Sequence, residues 1–181
     1  MAMLPRHVVR GHRNPLYMGL AARLKKVRRA SGFDRQTLTQ RAAMADGSAV
    51  LGIEQGGRVP RLDTVEKIAD ALGVSAAFLA FGIEGEASDA KAGMHCEGMA
   101  QRLRQVRAAR GLSMRALARA ASLTDTAVRS TETGATIPTV ATVEALARAL
   151  NVSPGWLGYG IGPQTLPARR GAGTAQTAAD R

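Results

Sequence analysis

The side chains able to do covalent chemistry are few and far apart. One cysteine, Cys96, and three histidines, His7, His12 and His95, are the chain's whole supply of thiol and imidazole, and they form no recognisable nucleophile and base pair at local spacing. There is no Cys-x-x-Cys pair to hold a structural metal and no Gly-rich loop carrying the Lys that cradles a phosphate. A lone cysteine forms no internal disulfide, which suits a reducing compartment. The chain is therefore expected not to be an enzyme and to use no cofactor and no metal. His95 and Cys96 fall in a stretch without apolar period, where solvated side chains are expected.

What the sequence offers in quantity is positive charge. There are 25 Lys plus Arg against 14 Asp plus Glu, a formal net charge of +11. Arg6, Arg10, Arg13, Arg23, Lys25, Lys26, Arg28 and Arg29 all precede the first acidic residue, Asp34. Taken singly, each is a solvated charge on an arm or a helix face. Taken together, they suit an amino-terminal segment that grips phosphate, with Arg6, Arg10 and Arg13 in the lead. Nucleic acid is the commonest polyanionic partner of a small helical protein with this excess. No apolar run approaches the roughly 18 residues of a membrane span, and VVRGHRNPLYMGLAA is too broken by charge and by Pro15 for a signal-peptide core. A membrane partner is not expected, and the cytoplasm or nucleoid is the expected location.

The elements that must position these charges come in duplicate. LKKVRRASGFDRQTLTQRAA (Leu24 to Ala43) lies over LRQVRAARGLSMRALARAAS (Leu103 to Ser122) at an offset of 79 residues. TVEKIADALGVSAAFLAFGI (Thr64 to Ile83) lies over TVEALARALNVSPGWLGYGI (Thr142 to Ile161) at an offset of 78, the slip falling near Ala45. Internal repetition of this kind means two homologous units. The organisation expected is a basic arm over residues 1–17, a first unit over 18–83, a linker over 84–98, a second unit over 99–161 and a flexible tail over 162–181, with Arg169 and Arg170 adding charge but no specificity. The linker, about 15 residues, spans some 20 Å as a coil and about 50 Å extended. That range includes one turn of duplex, about 34 Å.

Within each unit the apolar residues follow helical spacing. Aromatics make up only 3% of the chain, and hydrophobic residues make up 45%, which favours small helical units over sheets. Leu20, Leu24 and Val27 form one stripe, matched by Met99, Leu103 and Val106. Gly32 and Gly111 suit left-handed helix ends. A second helix is expected over 35–43 and 114–121, with Leu38 and Leu117 inward. A third opens after Asp46 and Thr124, residue types that cap helix N-termini, with Val50, Ile53, Val128 and Thr131 inward. GGRVP and GATIP break the chain before a fourth helix, and Ser75 and Ser153 cap a fifth. Phe78, Phe81, Trp156 and Tyr159 recur at matching places and read as core and helix-end packing rather than as platforms for stacked bases. The fold class expected is all-α: two five-helix units in tandem.

These residues carry a family resemblance. LSMRALARAASLTDTAVRSTETG (Leu112 to Gly134), followed by IPTVATVEALARALNVS, resembles the helix-turn-helix of the Cro/C1 phage-repressor, or XRE-type, family. The first unit resembles the same motif with one extra residue in the turn. The doubled match covers about two thirds of the chain. The resemblance implies that helices 2 and 3 form the motif, that helix 3 enters the major groove and that the following loop touches phosphate. It also implies a buried ion pair between helix 1 and the end of helix 3, at Arg28 with Glu54 and Arg107 with Glu132. Where the family carries a phosphate-clamping Gln at the start of helix 2, this chain has Arg35, which can still reach phosphate, and Met114, which cannot.

The positions that would face bases differ between the units. The first offers Gly47, Ser48, Leu51 and Gly52, of which Ser48 can hydrogen-bond a base edge and Leu51 can meet a thymine methyl. The second offers Asp125, Thr126, Arg129 and Ser130, and a well-placed Arg on guanine discriminates by about 1–3 kcal/mol. In the phosphate loop the balance reverses, with Arg58 and Arg61 against Thr136 and Thr139. The function expected is that of a repressor-like transcriptional regulator binding double-stranded DNA, the first unit and its arm gripping and the second reading. The competing expectation is a protein-interaction adaptor or antitoxin-like module, since a helix short of polar reading groups and bearing Leu51 also suits a protein partner. A homodimer is equally allowed, and no small-molecule effector domain is evident.

Overall fold

A computed structural model of the chain describes residues 15–45, 47–84 and 95–165. Residues 1–14 of the basic arm with Arg6, Arg10 and Arg13, the capping position Asp46, and residues 166–181 of the tail with Arg169 and Arg170 lie outside the described residues. The architecture is all-α, two five-helix units in tandem. The first unit comprises α1 (Leu20–Ala30), α2 (Arg35–Arg41), α3 (Ala49–Glu54), α4 (Leu62–Leu72) and α5 (Ala76–Phe81). The second comprises α6 (Met99–Ala109), α7 (Met114–Ala120), α8 (Asp125–Glu132), α9 (Val140–Ala149) and α10 (Pro154–Tyr159). A short 3-10 turn precedes each unit, Leu16–Gly19 and His95–Gly98.

Local chemistry sets these boundaries. Asp34 and Ser113 accept the backbone N–H groups of Thr37 and Ala116 and so open α2 and α7. Ser75 and Ser153 do the same for α5 and α10 through Phe78 and Trp156. Such a cap satisfies one of the donors that a helix N-terminus otherwise leaves unpaired. Gly32 and Gly111 stand at φ +71° and +62° where the chain leaves α1 and α6, a conformation that glycine adopts without steric cost. The apolar stripes then meet: Leu20, Leu24, Leu38, Val50 and Ile53 are buried in one unit, and Met99, Leu103, Leu117, Val128 and Thr131 in the other.

The third helices are not equal. Thr124 caps α8 by accepting the Ala127 N–H, and the helix begins at Asp125. At the 78-residue offset α3 would begin at Gly47, but it begins at Ala49, and Ser48 makes no side-chain cap bond there. The expected opening of this helix directly after Asp46 is thus corrected by two residues. Glycine is among the poorest helix formers and serine favours turns, so Gly47 and Ser48 are held in a turn rather than in the helix.

The two units dock on each other reciprocally. The Leu62 N–H donates to the Pro138 carbonyl and the Val140 N–H to the Pro60 carbonyl, both at 3.0 Å, around an antiparallel bridge between Arg61 and Thr139. The leading 3-10 turn reaches across the interface. Its Leu16 and Tyr17 N–H groups donate to the two oxygens of Glu144 on α9 at 2.8 and 2.9 Å. The turn His95–Gly98 repeats the exchange, the Cys96 N–H donating to Glu66 Oε2 on α4 at 3.4 Å. Phe81 and Tyr159, equivalent residues of the two units, face each other with ring centroids 6.4 Å apart. Glycine at 155 lets α10 approach α5, since a Cβ there would lie 3.1 Å from the Ala77 Cβ. The backbone bonds around the bridge, the turns reaching Glu144 and Glu66, and the Phe81–Tyr159 pair recur on both sides, which is the signature of an isologous, two-fold interface, here closed within one chain.

This docking places several residues differently from expectation. Residues 95–98, expected as the end of the linker, are a folded turn packed against α4 and α10, and Leu16 and Tyr17, expected in the arm, belong to the opposite turn. Cys96, expected to be solvated, is 5% exposed; burial pushes its thiol up, and Glu66 adds to the effect. The spacing between the units is set by their shared core. Among the described residues no helix is long and apolar enough to cross a membrane.

Candidate nucleic-acid interface

Each third helix is anchored from behind before it presents anything in front. Arg28, at the end of α1, donates from Nε to Glu54 Oε1 at 2.6 Å and from Nη2 to Oε2 at 3.2 Å. Its Nη1 donates to the Phe33 carbonyl at 2.7 Å. In the second unit Arg107 donates from Nε and Nη2 to the two oxygens of Glu132 and from Nη1 to the Leu112 carbonyl. These forks fix the end of helix 3 to helix 1 with bidentate, charge-assisted bonds. Burial raises the Glu54 carboxyl, but the hydrogen bonds and charges of Arg28 and Arg35 outweigh it and hold the group below the usual carboxylate range.

The outward faces then differ. On α8, Val128, Thr131 and Glu132 are buried while Asp125, Thr126 and Arg129 are exposed and Ser130 is half-buried, with its hydroxyl donating to the Ala127 carbonyl at 3.2 Å. Asp125 is paired with Arg115 of α7 at 3.1 Å. Ser113, Met114, Arg115, Asp125 and Arg129 line one shallow concavity of about 430 Å³ between α7 and α8. On the first unit Ser48 is exposed in the turn before α3, and Leu51 is 37% exposed on the helix.

The cations expected to touch phosphate are divided by the structure. Arg58 and Arg61 are exposed in and after the loop that follows α3, with Arg61 lying 3.4 Å from Asp63. Arg35 is drawn back onto Glu54, its Nε 2.8 Å from Oε2, though its side chain remains 44% exposed. Arg23, grouped with the basic amino end by its position in the sequence, is structural: it donates to the carbonyls of Leu16, Leu79 and Ala80. Burial holds its guanidinium below the ordinary value against the opposing charge of Glu144. Arg102 does the same for the carbonyls of Leu157 and Gly158. Cationic side chains at helix C-termini satisfy carbonyls that otherwise lack partners. Sequence reasoning missed this pair, and also Glu66 and Glu144, buried at 3% and 2% exposure. The available signal was recurrence: all four charged residues repeat at the unit offset.

Two N-capped or turn-led third helices, each ion-paired to the first helix and each solvent-facing on its other side, define a tandem helix-turn-helix protein. The chain belongs to the helix-turn-helix domain family, whose model matches it twice, over residues 20–80 and 99–155. Among solved structures it is similar to the restriction-modification controller protein C.AhdI from Aeromonas hydrophila, at 33% identity over 35% of this chain and 94% of that one, with a TM-score of 0.33. It is also similar to a hypothetical transcription factor, NHTF, from Neisseria, at 25% identity over 45% of this chain and 84% of that one, with a TM-score of 0.34. No curated protein matches the chain.

Proposed function

We propose that the chain is a repressor-like regulator that lays α3 and α8 in major grooves of duplex DNA. In this reading Arg58, Arg61 and the basic arm with Arg6, Arg10 and Arg13 engage phosphate, and Arg35 joins them by letting go of Glu54. Asp125, Thr126, Arg129 and Ser130 face bases, with Ser48 and Leu51 in the equivalent places of the first unit. The observation that carries the proposal is α8 itself, a helix buried and ion-paired along one side and bearing an exposed Arg129 beside the Arg115–Asp125 pair on the other. Phosphate contacts position a protein on duplex, and base contacts specify the sequence.

An anisotropy titration of the full chain against the DNA upstream of its own gene, with random duplex at matched salt, tests the proposal. Tighter binding to the upstream DNA is expected, and equal affinity for the two would sink it. Six engaged cations give a slope of log K against log salt of about −5 through counterion release. A slope near zero would mean that the cations do not touch phosphate.

A second reading, a protein-binding adaptor or antitoxin-like module, is favoured by the three large apolar residues exposed on the first unit, Met18 at 57%, Val59 at 44% and Leu51 at 37%. Leu51→Lys separates the two. On the DNA reading the added cation keeps or raises affinity for random duplex, by up to about one unit of salt slope. On the adaptor reading it leaves DNA affinity untouched and abolishes capture of the partner.

A further inference from the structure

We infer that the chain recognises an asymmetric duplex site in one fixed orientation, with the half under α8 specified by base contacts and the half under α3 held with little base discrimination. The inference rests on the DNA-binding reading above and adds to it the symmetry class of the target.

The argument starts from the interface. The paired bonds Leu62 to Pro138 and Val140 to Pro60 relate the units as the halves of a two-fold dimer are related. α3 and α8 therefore occupy equivalent places on either side of the Arg61–Thr139 bridge. In a dimer of identical chains such places hold identical side chains, and the matching DNA site has dyad symmetry. This chain keeps the arrangement without the identity. Where α8 carries Arg129, α3 carries Leu51. Where α8 opens on Asp125, neutralised by Arg115 at 3.1 Å, the first unit has Gly47 in a turn and no acidic or basic side chain at the position of Arg115, which is Gln36.

The chemistry of the two faces differs accordingly. A guanidinium donates to guanine O6 and N7 together, and a carboxylate accepts from cytosine N4, whereas a leucine has only the thymine methyl to contact. Neutralisation by Arg115 lets Asp125 approach the groove without bringing a net negative charge to the phosphates. In the first unit Arg35, which opens α2 where the second unit has Met114, is bound to Glu54 at 2.8 Å. The loop cations run the other way, Arg58 and Arg61 standing where the second unit has Thr136 and Thr139. Reading and gripping are thereby separated along the axis of the site, and reversing the site would set the reading face on the half that lacks its bases.

The test is selection of bound duplexes from a randomised library by the full chain, repeated with Arg129→Ala and Leu51→Arg. Both positions are exposed, and circular dichroism checks that the variants fold. The wild type is expected to enrich a site with a strong guanine preference in one half only. Arg129→Ala should erase that preference, a loss of about 5- to 150-fold at that base pair, and leave the other half unchanged. Leu51→Arg should add a guanine preference at the mirror position and turn the selected site into a near-palindrome. A palindromic wild-type site with equal preferences in both halves would overturn the asymmetry and leave the DNA-binding reading standing, as would Arg129→Ala weakening both halves alike. Enrichment of nothing above random duplex would overturn the DNA-binding reading itself, and this inference with it.

Discussion

Glu54→Ala lowers the stability of the chain by about 3–5 kcal/mol, the usual cost of stripping one partner from a buried ion pair. For a chain of this size that corresponds to a fall in Tm of about 6–20 °C. The side chain of Glu54 is 1% exposed and takes bonds from Arg28 and from Arg35. Removing it leaves the guanidinium of Arg28, itself 8% exposed, with the Phe33 carbonyl at 2.7 Å and without its bidentate carboxylate. Arg35 swings free into solvent, so the loss falls on the Arg28 side of the fork. Thermal unfolding followed by calorimetry checks the prediction, and a fall under about 1 kcal/mol would place the pair among those whose desolvation cancels their attraction. The same group fixes an acid limb. Its folded-state carboxyl lies below the usual range, so its stabilisation is fully present above the ordinary glutamate value near pH 4.5 and is lost as pH falls through the depressed value. Asp34, whose carboxylate is held down first by the Thr37 N–H, loses its contribution in the same direction. Glu54→Gln should flatten the limb that belongs to Glu54.

Tyr159→Ala is expected to cost about 3–5 kcal/mol, the range for emptying a buried aromatic site, and to change the form of unfolding as well as its midpoint. The ring is 1% exposed and packs on Phe81 of the other unit, and the phenol donates to the Leu62 carbonyl at 3.3 Å. The wild type should unfold in one cooperative transition because the two units share this core. In the variant the transitions of the two units should separate, with calorimetric and van't Hoff enthalpies no longer equal. Tyr159→Phe removes only the hydroxyl bond and should cost about 1 kcal/mol. A Tyr159→Ala protein that still unfolds as one unit with near-wild-type stability would show that the interface does not couple the halves.

The parts of this fold that follow local rules are legible in the sequence. The stripes at Leu20, Leu24 and Val27 and at Met99, Leu103 and Val106, the caps at Ser75 and Ser153, and the glycine exits at Gly32 and Gly111 all act over a few residues. What acts over long separations left little local trace. The bonds from Leu16 and Tyr17 to Glu144 join residues more than 120 apart, and nothing in the periodicity of either segment points to the other. Phe81 and Tyr159 announce burial by type and recurrence but not the fact that each is buried by the other. Arg23 looked like its solvated neighbours Lys25 and Lys26 because composition does not distinguish a cation that finds carbonyls from one that finds water. The late start of α3 was written in Gly47 and Ser48, poor helix formers whose effect was outweighed in the reading by the capping type of Asp46. The face of α8 was assigned residue by residue through likeness to a motif, while the retreat of Arg35 onto Glu54 depended on geometry alone.

The reciprocal bonds from Leu62 to Pro138 and from Val140 to Pro60 have both their sides on one polypeptide, so their formation is a first-order event that dilution leaves unchanged. A regulator assembled from two separate chains loses its paired form below its own dissociation constant, and its response to abundance is then steep. In this chain the paired arrangement of α3 and α8 therefore forms without a concentration threshold.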